Sequence, residues 1–228
     1  FRRLVNLPLL SDRKKRYKPG VNALAQNRAV EIGIFARTPE RGLVKQRLAR
    51  DIGPDAAFHL YRSLFRHTLL CAVFARRMMP SLQPVLWYKG AHPAMELPRE
   101  FTFDVRPQPG ADFAANMQVV LDRIEAPGLG GALIIGSDHP GLLPLHLVEM
   151  ATLLETADVS IGRSEDGGFW AMGTRRPLPD IFSGMTFSTT TVCNEIENRL
   201  DERQLVYAHG PTLFDIDTAA DLPRLKKN

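Results

Sequence analysis

Residues 131–142, GALIIGSDHPGL, decide the fold. GALIIGS (131–137) is an apolar run without polar alternation, as a strand buried on both faces requires. It breaks at Asp138, His139, Pro140 and Gly141, and a helical stretch, LLPLHLVEMATLLETA (142–157), follows. Strand, loop and helix in that order make a βα unit of a parallel sheet, and ligands of open parallel sheets bind beyond the carboxyl ends of the strands. Asp138 stands at such an end. A lone carboxylate there suits Mg²⁺ or Mn²⁺, which takes one or two carboxylates together with phosphate oxygens and water; the alternative is a cap for the next helix. His139 beside it reads as a packing or hydrogen-bonding histidine.

The same alternation extends in both directions. Upstream lie VEIGIFA (30–36), PVLWYK (84–89) and FTFDVR (101–106) as strands, with VKQRLARDI (44–52), a long helix (55–79) opened by Pro54, and ADFAANMQVVLDRI (111–124) between them. Downstream lie ADVSIG (157–162) and GFWAMGT (168–174), a helix over 189–203, and two more strand candidates, LVYA (205–208) and TLFDI (212–216). The pattern predicts an α/β three-layer sandwich with a mainly parallel, mixed sheet.

Three further loops carry chemistry. After the first strand, Arg37, Arg41, Lys45 and Arg47 fall close together around Gly42. Guanidinium and ammonium groups near a helix start suit phosphate, although the GxxxxGK[ST] spacing of a Walker loop is absent. SEDGGFW (164–170) places Asp166 before Gly167 and Gly168, where a carboxylate can bind a hydroxyl or act as a base; DGG is also ordinary turn chemistry. FDIDTAADL (214–222) sets Asp215 and Asp217 two apart, on one face of an extended strand. Asp217 then either completes a metal site or caps a helix.

Composition narrows the classes. The chain has 228 residues, 44% hydrophobic and 24% charged, which excludes a disordered chain and is long enough for a single core. Two cysteines, Cys71 and Cys193, rule out a disulfide scaffold and point to the cytoplasm. No apolar run reaches the roughly 18 residues of a membrane span. The net charge of +4 divides unevenly: residues 1–28 hold eight basic groups against Asp12, a net of +7, and the remainder carries −3. Residues 1–28 are therefore read as a basic, solvated or partner-contacting extension, and 29–228 as one domain. A nucleic-acid partner is disfavoured, because the body is mildly acidic and lacks an aromatic RNA-binding string. The oligomeric state is not fixed, and a homodimer stays open.

Taken in order, IFARTPERGLVKQRL, QPGADFAANM, GSDHPGL, EDGGFWAMG, FST and DIDTAADL resemble a bacterial glycosyltransferase-like family, often encoded near radical-SAM and selenium-domain proteins. That family is similar to 2-phospho-lactate guanylyltransferase and, more distantly, to molybdenum-cofactor nucleotidyltransferases. The resemblance spans roughly residues 30 to 225. It implies a GT-A (nucleotide-diphospho-sugar transferase) fold and a Mg²⁺- or Mn²⁺-dependent transfer from a nucleotide or nucleotide-sugar donor to a small-molecule acceptor. By the same resemblance Arg37, Gly42, Lys45 and Arg47 form the phosphate loop and Asp138 and Asp217 hold the metal. Asp112, Asp166, Gly167 and Gly168 face the substrate, with Lys45 and Asp166 catalytic. Departures from the family pattern are Arg37 for Lys, Gln46 for Thr, His139 for Cys, Ala114 for Gly, Asn116 for Arg and Phe187 for Trp. Family naming favours glycosyl transfer, which is the reaction expected first. The basic loop after the first strand favours nucleotidyl transfer with pyrophosphate release, and Asn116 admits a catalytically weakened nucleotide-binding protein.

Overall fold

A computed structural model of the chain describes residues 28–226, so the basic extension lies almost wholly outside the described residues. The GALIIGS run forms β4 (Leu129–Ile135), in the middle of a seven-stranded sheet. Around it stand β1 (Ala29–Arg37), β2 (Leu82–Lys89), β3 (Asp104–Pro107), β5 (Val159–Arg163), β6 (Phe169–Thr174) and β7 (Tyr207–His209), in the order β3-β2-β1-β4-β6-β5-β7. Only β6 runs against its neighbours, pairing antiparallel with β4 and β5. The sheet is thus mixed and mainly parallel.

The buried strands sort their side chains by parity, as a pleated strand covered on both faces must. Ile32, Ile34, Leu133 and Ile135 pack under α2 (Pro54–Met78) and α4 (Pro144–Leu153), with Phe65, Leu69, Leu147 and Met150. Phe35, Ile134, Ile161 and Met172 face the other way, against Met117 and Val120 of α3 (Phe113–Asp122) and Ile196 and Leu200 of α5 (Val192–Glu202). Helices on both faces of one sheet make the three layers of the GT-A architecture. A short α1 (Gln46–Ile52) and a 3₁₀ helix over Ala219–Lys226 close one end through Leu48 and Ile216, both fully buried. Among the described residues no helix is long and apolar enough to cross a membrane.

Two strand expectations need correction. FTFDVR is extended only from Asp104, because Phe101 turns into the core beneath α2 and its ring meets Phe103 edge-on. TLFDI makes no strand, only an isolated parallel bridge between Leu213 and Ser164. Ile216 explains why: it leaves the sheet line to pack against Leu48 and Leu64.

Candidate functional site

Six of the seven strands run the same way, so β1, β2, β3, β4 and β5 all end at one edge, and the β5–β6 turn lies there too. The chain leaves β1 for β2 and β3, then returns to β4 on the other side of β1. The crevice at such a reversal is where open α/β sheets hold ligands. Here it is a cavity of about 680 Å³, a size that accommodates a small organic ligand.

One wall is acidic. Asp138 follows β4, and Asp215 and Asp217 arrive on the segment after β7. That segment is held against β5 by backbone hydrogen bonds: Leu213 N–H donates to the Arg163 carbonyl at 3.1 Å, and Glu165 N–H to the Leu213 carbonyl at 3.0 Å. One oxygen from each of Asp138, Asp215 and Asp217 lies within 4.8 Å of the other two. Asp138 caps no helix, since α4 starts six residues later behind Leu143. Nor does Asp217 cap the last helix. There Asp221 is the acceptor, taking the Asp217 N–H (3.1 Å), the Thr218 N–H (2.8 Å) and the Thr218 hydroxyl (2.9 Å).

Lys45 enters this acidic wall from the loop after β1. Its ammonium donates to Asp138 Oδ2 at 2.8 Å and to Asp217 Oδ1 at 2.6 Å, and its side chain is only 7% exposed. The backbone at Lys45 is left-handed (φ 44°, ψ 48°), a conformation costing an L-residue about 1–2 kcal/mol and held only where surroundings enforce it. Burial opposes the Lys45 charge, but the two carboxylates outweigh it and hold the ammonium well above the ordinary lysine value. Burial would likewise raise Asp138, yet the Lys45 charge keeps that carboxyl below the usual range. At Asp215 burial, then repulsion from Asp138, Asp217 and Asp166, outweighs the Lys45 charge and pushes the carboxyl up to about 6. The wall therefore carries more negative charge than its resident cations neutralise, and oxygen-only donors of this number fit a hard divalent ion.

His139 fixes Asp138. Its Nδ1 stands 3.3 Å from Asp138 Oδ1 and its Nε2 3.3 Å from the Ser164 hydroxyl, and desolvation depresses its basicity. The ring shares a hydrogen bond with the Ser164 hydroxyl through Nε2 while Nδ1 stays close beside Asp138. The histidine is a hydrogen-bonding support, as its position beside the strand end suggests. Tyr61 of α2 plays a similar part. Buried, with its hydroxyl pushed up to about 12, it accepts the Arg37 N–H (3.0 Å), donates to the Arg37 carbonyl (2.9 Å) and meets Ser137 Oγ at 3.3 Å. It thereby ties the ends of β1 and β4 together.

The remaining residues singled out above divide into two groups. Arg37, Arg47, Asp166 and Gly168 line the cavity with Lys45, Asp138 and Asp217. Arg47 is 66% exposed and 3.6 Å from Asp217 Oδ2. Asp166 accepts the Gly168 N–H at 2.9 Å through Oδ1. Three others sit off the cavity wall. Gly42 occupies the turn before Lys45 with φ 76°. Asp112 caps α3 by accepting the Ala115 N–H at 2.8 Å. Gly167 holds φ 91°, and a Cβ there would come within 2.0 Å of the Thr190 carbonyl oxygen, so its hydrogen atom is what lets the 164–168 loop meet the start of α5. Arg41 is also directed away, paired with Asp55 and stacked over Phe58.

Sequence reading missed several lining residues. Lys89 ends β2 directly in register with Arg37, and Gln108 just beyond β3 donates to the Trp87 carbonyl at 2.9 Å. Phe113 and Phe187 meet edge-on (5.2 Å between centroids) to form an aromatic side of the cavity. Lys89, Gln108 and Phe113 stand at a strand end or a helix start, which does not separate lining from packing, and Phe187 stands out only as a departure from the family's Trp. Asn116, where the resembled family has Arg, is buried: its Oδ1 accepts the Gly110 N–H (2.7 Å) and its Nδ2 donates to the Asp112 carbonyl (2.6 Å). It stitches the 110–112 loop onto α3.

Comparison with known proteins agrees with this architecture. A candidate nucleotide-diphospho-sugar transferase of Desulfovibrio desulfuricans G20 superposes with a TM-score of 0.75 at 24% identity, over 87% of this chain and 88% of that one. A 4-diphosphocytidyl-2C-methyl-D-erythritol synthase of Anaerococcus prevotii DSM 20548 gives 0.55 at 11% identity, over 91% and 98%. Rv0371c of Mycobacterium tuberculosis H37Rv gives 0.54 at 18% identity, over 89% and 100%. At these identities the likeness speaks for the fold, which is that of nucleotide-diphospho-sugar transferases and nucleotidyltransferases. No functionally curated protein matches the chain. The family model that does match covers residues 73–189, and the chain belongs to that family, described as an uncharacterized protein conserved in bacteria (DUF2064).

Proposed function

We propose that this protein is a divalent-metal-dependent transferase that acts on a nucleotide. The observation that carries the reading is the meeting of Asp138, Asp215 and Asp217 with Lys45 and Arg47 at the carboxyl edge of the sheet. The three carboxylates would hold Mg²⁺ or Mn²⁺, whose chemistry there is to bridge phosphate oxygens and neutralise charge on the leaving group. Supporting it, a related fold, the glucosyl-3-phosphoglycerate synthase of Mycobacterium tuberculosis, is known in complex with Mn²⁺ and UDP (TM-score 0.50).

Lys45 and Arg47 would neutralise phosphate oxygens, each such contact supplying on the order of 3 kcal/mol if it strengthens in the transition state. Asp166 is assigned to orient the acceptor or take its proton, having one carboxylate oxygen beyond its bond to Gly168. Two cations from one loop suit the charge of a triphosphate, which supports nucleotidyl transfer: an acceptor oxygen bonds to the α-phosphorus as the bridging P–O bond breaks and pyrophosphate leaves. Glycosyl transfer from a nucleotide-diphospho-sugar is the other reading, favoured by the likeness to the Desulfovibrio protein. A weakened site owing to Asn116 loses ground, since that side chain is spent on loop hydrogen bonds and leaves the acidic wall intact.

Thermal melting with nucleoside triphosphates and nucleotide sugars, each with and without Mg²⁺ or Mn²⁺, tests the reading. Metal-dependent stabilisation of several degrees, abolished in Asp138→Asn, is the expected result, and the absence of any nucleotide effect would overturn it. Pyrophosphate release on adding phosphorylated or carboxylated acceptors would select nucleotidyl transfer; stabilisation by nucleotide sugars alone would select glycosyl transfer.

A further inference from the structure

We propose that Lys45 is the resident cation of the acidic wall, and that the wall accepts a divalent ion only as this ammonium is drawn onto an anionic ligand. The chain then takes its metal together with a polyphosphate, as a chelate, in preference to the free ion. The inference rests on the reading of Asp138, Asp215 and Asp217 as the cation-holding group.

The position of the ammonium is the first observation. Nζ lies 2.8 Å from Asp138 and 2.6 Å from Asp217, between two of the three carboxylates, and the side chain is 7% exposed. Arg47, two residues later, meets the same Asp217 only at 3.6 Å and is 66% exposed, so Lys45 is the buried cation of the two. The second observation is spacing. One oxygen of each carboxylate lies within 4.8 Å of the other two, and the ammonium already bridges Asp138 and Asp217, two of the three groups a divalent ion would use. Charge supplies the third. A divalent ion entering with Lys45 in place would meet a repelling neighbour in a partly desolvated wall, whereas a polyphosphate beside it offers the ammonium a new partner. A flexible four-carbon stem lets Nζ swing without moving the loop. Exposed Arg37, at the cavity rim with no carboxylate partner among the described residues, marks where such an anion would lie. Coupling of this kind is reciprocal: whatever the polyphosphate adds to metal affinity, the metal adds to polyphosphate affinity.

The test follows free Mn²⁺ by its paramagnetic resonance signal in titrations of the full chain, of Lys45→Gln and of Lys45→Gln/Asp138→Asn. Lys45→Gln is expected to bind free Mn²⁺ at least tenfold more tightly than the parent chain, about 1.4 kcal/mol, and the double variant to lose that gain. Equal or weaker binding by Lys45→Gln overturns the proposal and leaves the cation site standing; no Mn²⁺ bound by either chain overturns both. A measurement without any variant stands beside it. Acetylation of the parent chain by a succinimidyl ester, read lysine by lysine by mass spectrometry, should stay unchanged at Lys45 under Mn²⁺ alone and change severalfold when inorganic triphosphate is added with Mn²⁺. Labelling of Lys45 that changes as much with Mn²⁺ alone, or that never changes, overturns the proposal.

Discussion

At Gly167 a single hydrogen atom decides whether the 164–168 loop can close. Gly128 has nearly the same backbone angle (φ 87°) but open space around it, whereas a Cβ at Gly167 would meet the Thr190 carbonyl at 2.0 Å. The pair separates conformational strain from collision. Gly128→Ala should cost about 1 kcal/mol and Gly167→Ala about 3 kcal/mol or more, read as the difference between urea midpoints at constant slope. Asn116 makes a second residue-scale case. Asn116→Ala leaves the Gly110 N–H and the Asp112 carbonyl without their side-chain partner in a buried corner, and should destabilise by about 2–3 kcal/mol in the same assay. Legibility at this scale was uneven. Asp138, Asp217 and Lys45 could be picked out because a carboxylate or a cation at a strand end has few structural uses. Asp112 and Gly167 carry the same signal in the sequence, and in the fold the one caps α3 and the other makes a close approach to Thr190. Whether a polar side chain faces a ligand or its own backbone depends on a rotamer, which residue type does not encode.

At the scale of elements, apolar runs bounded by Gly, Pro and Asp mark all seven strands to within a few residues. β4 is the clearest, since burial on both faces leaves no polar alternation to confuse it. TLFDI misled because it has strand composition but owes its burial to Ile216 packing with Leu48 and Leu64. Pairing partners were beyond reach: nothing local says that β6 runs against β4 and β5, and that reversal is what brings the Asp166 loop to the ligand edge. At the head of α3, Asp112→Ala removes the one side-chain cap of that helix and should lower stability by about 1 kcal/mol, with amide exchange of residues 113–116 accelerated more than that of β4.

For the molecule as a whole, one sheet carries two apolar layers, and each holds one cysteine. Cys71 of α2 lies on one face and Cys193 of α5 on the other, both buried. Burial pushes the Cys71 thiol up to about 12 and raises Cys193 also, so neither is a reactive thiolate near neutrality. If residues 29–228 fold as a single unit, both thiols should resist a disulfide reagent in buffer and become modified together across one denaturant transition. Separate transitions for the two would divide the domain along the sheet.

The bonds made by Lys45 also carry a statement about time. Its partners are 93 and 172 residues away along the chain, so one closure waits for the middle of the sequence and the other for its far end. The loop-entropy cost of the longer one exceeds the shorter by only roughly 0.6 kcal/mol, yet neither can be repaid until β4 and the segment after β7 are in place. Ligand competence should therefore be among the last properties the folding chain acquires. In a refolding experiment, Mn²⁺ capture would trail the recovery of helical signal, and a ribosome would have to release nearly all of these residues before the pocket could hold anything.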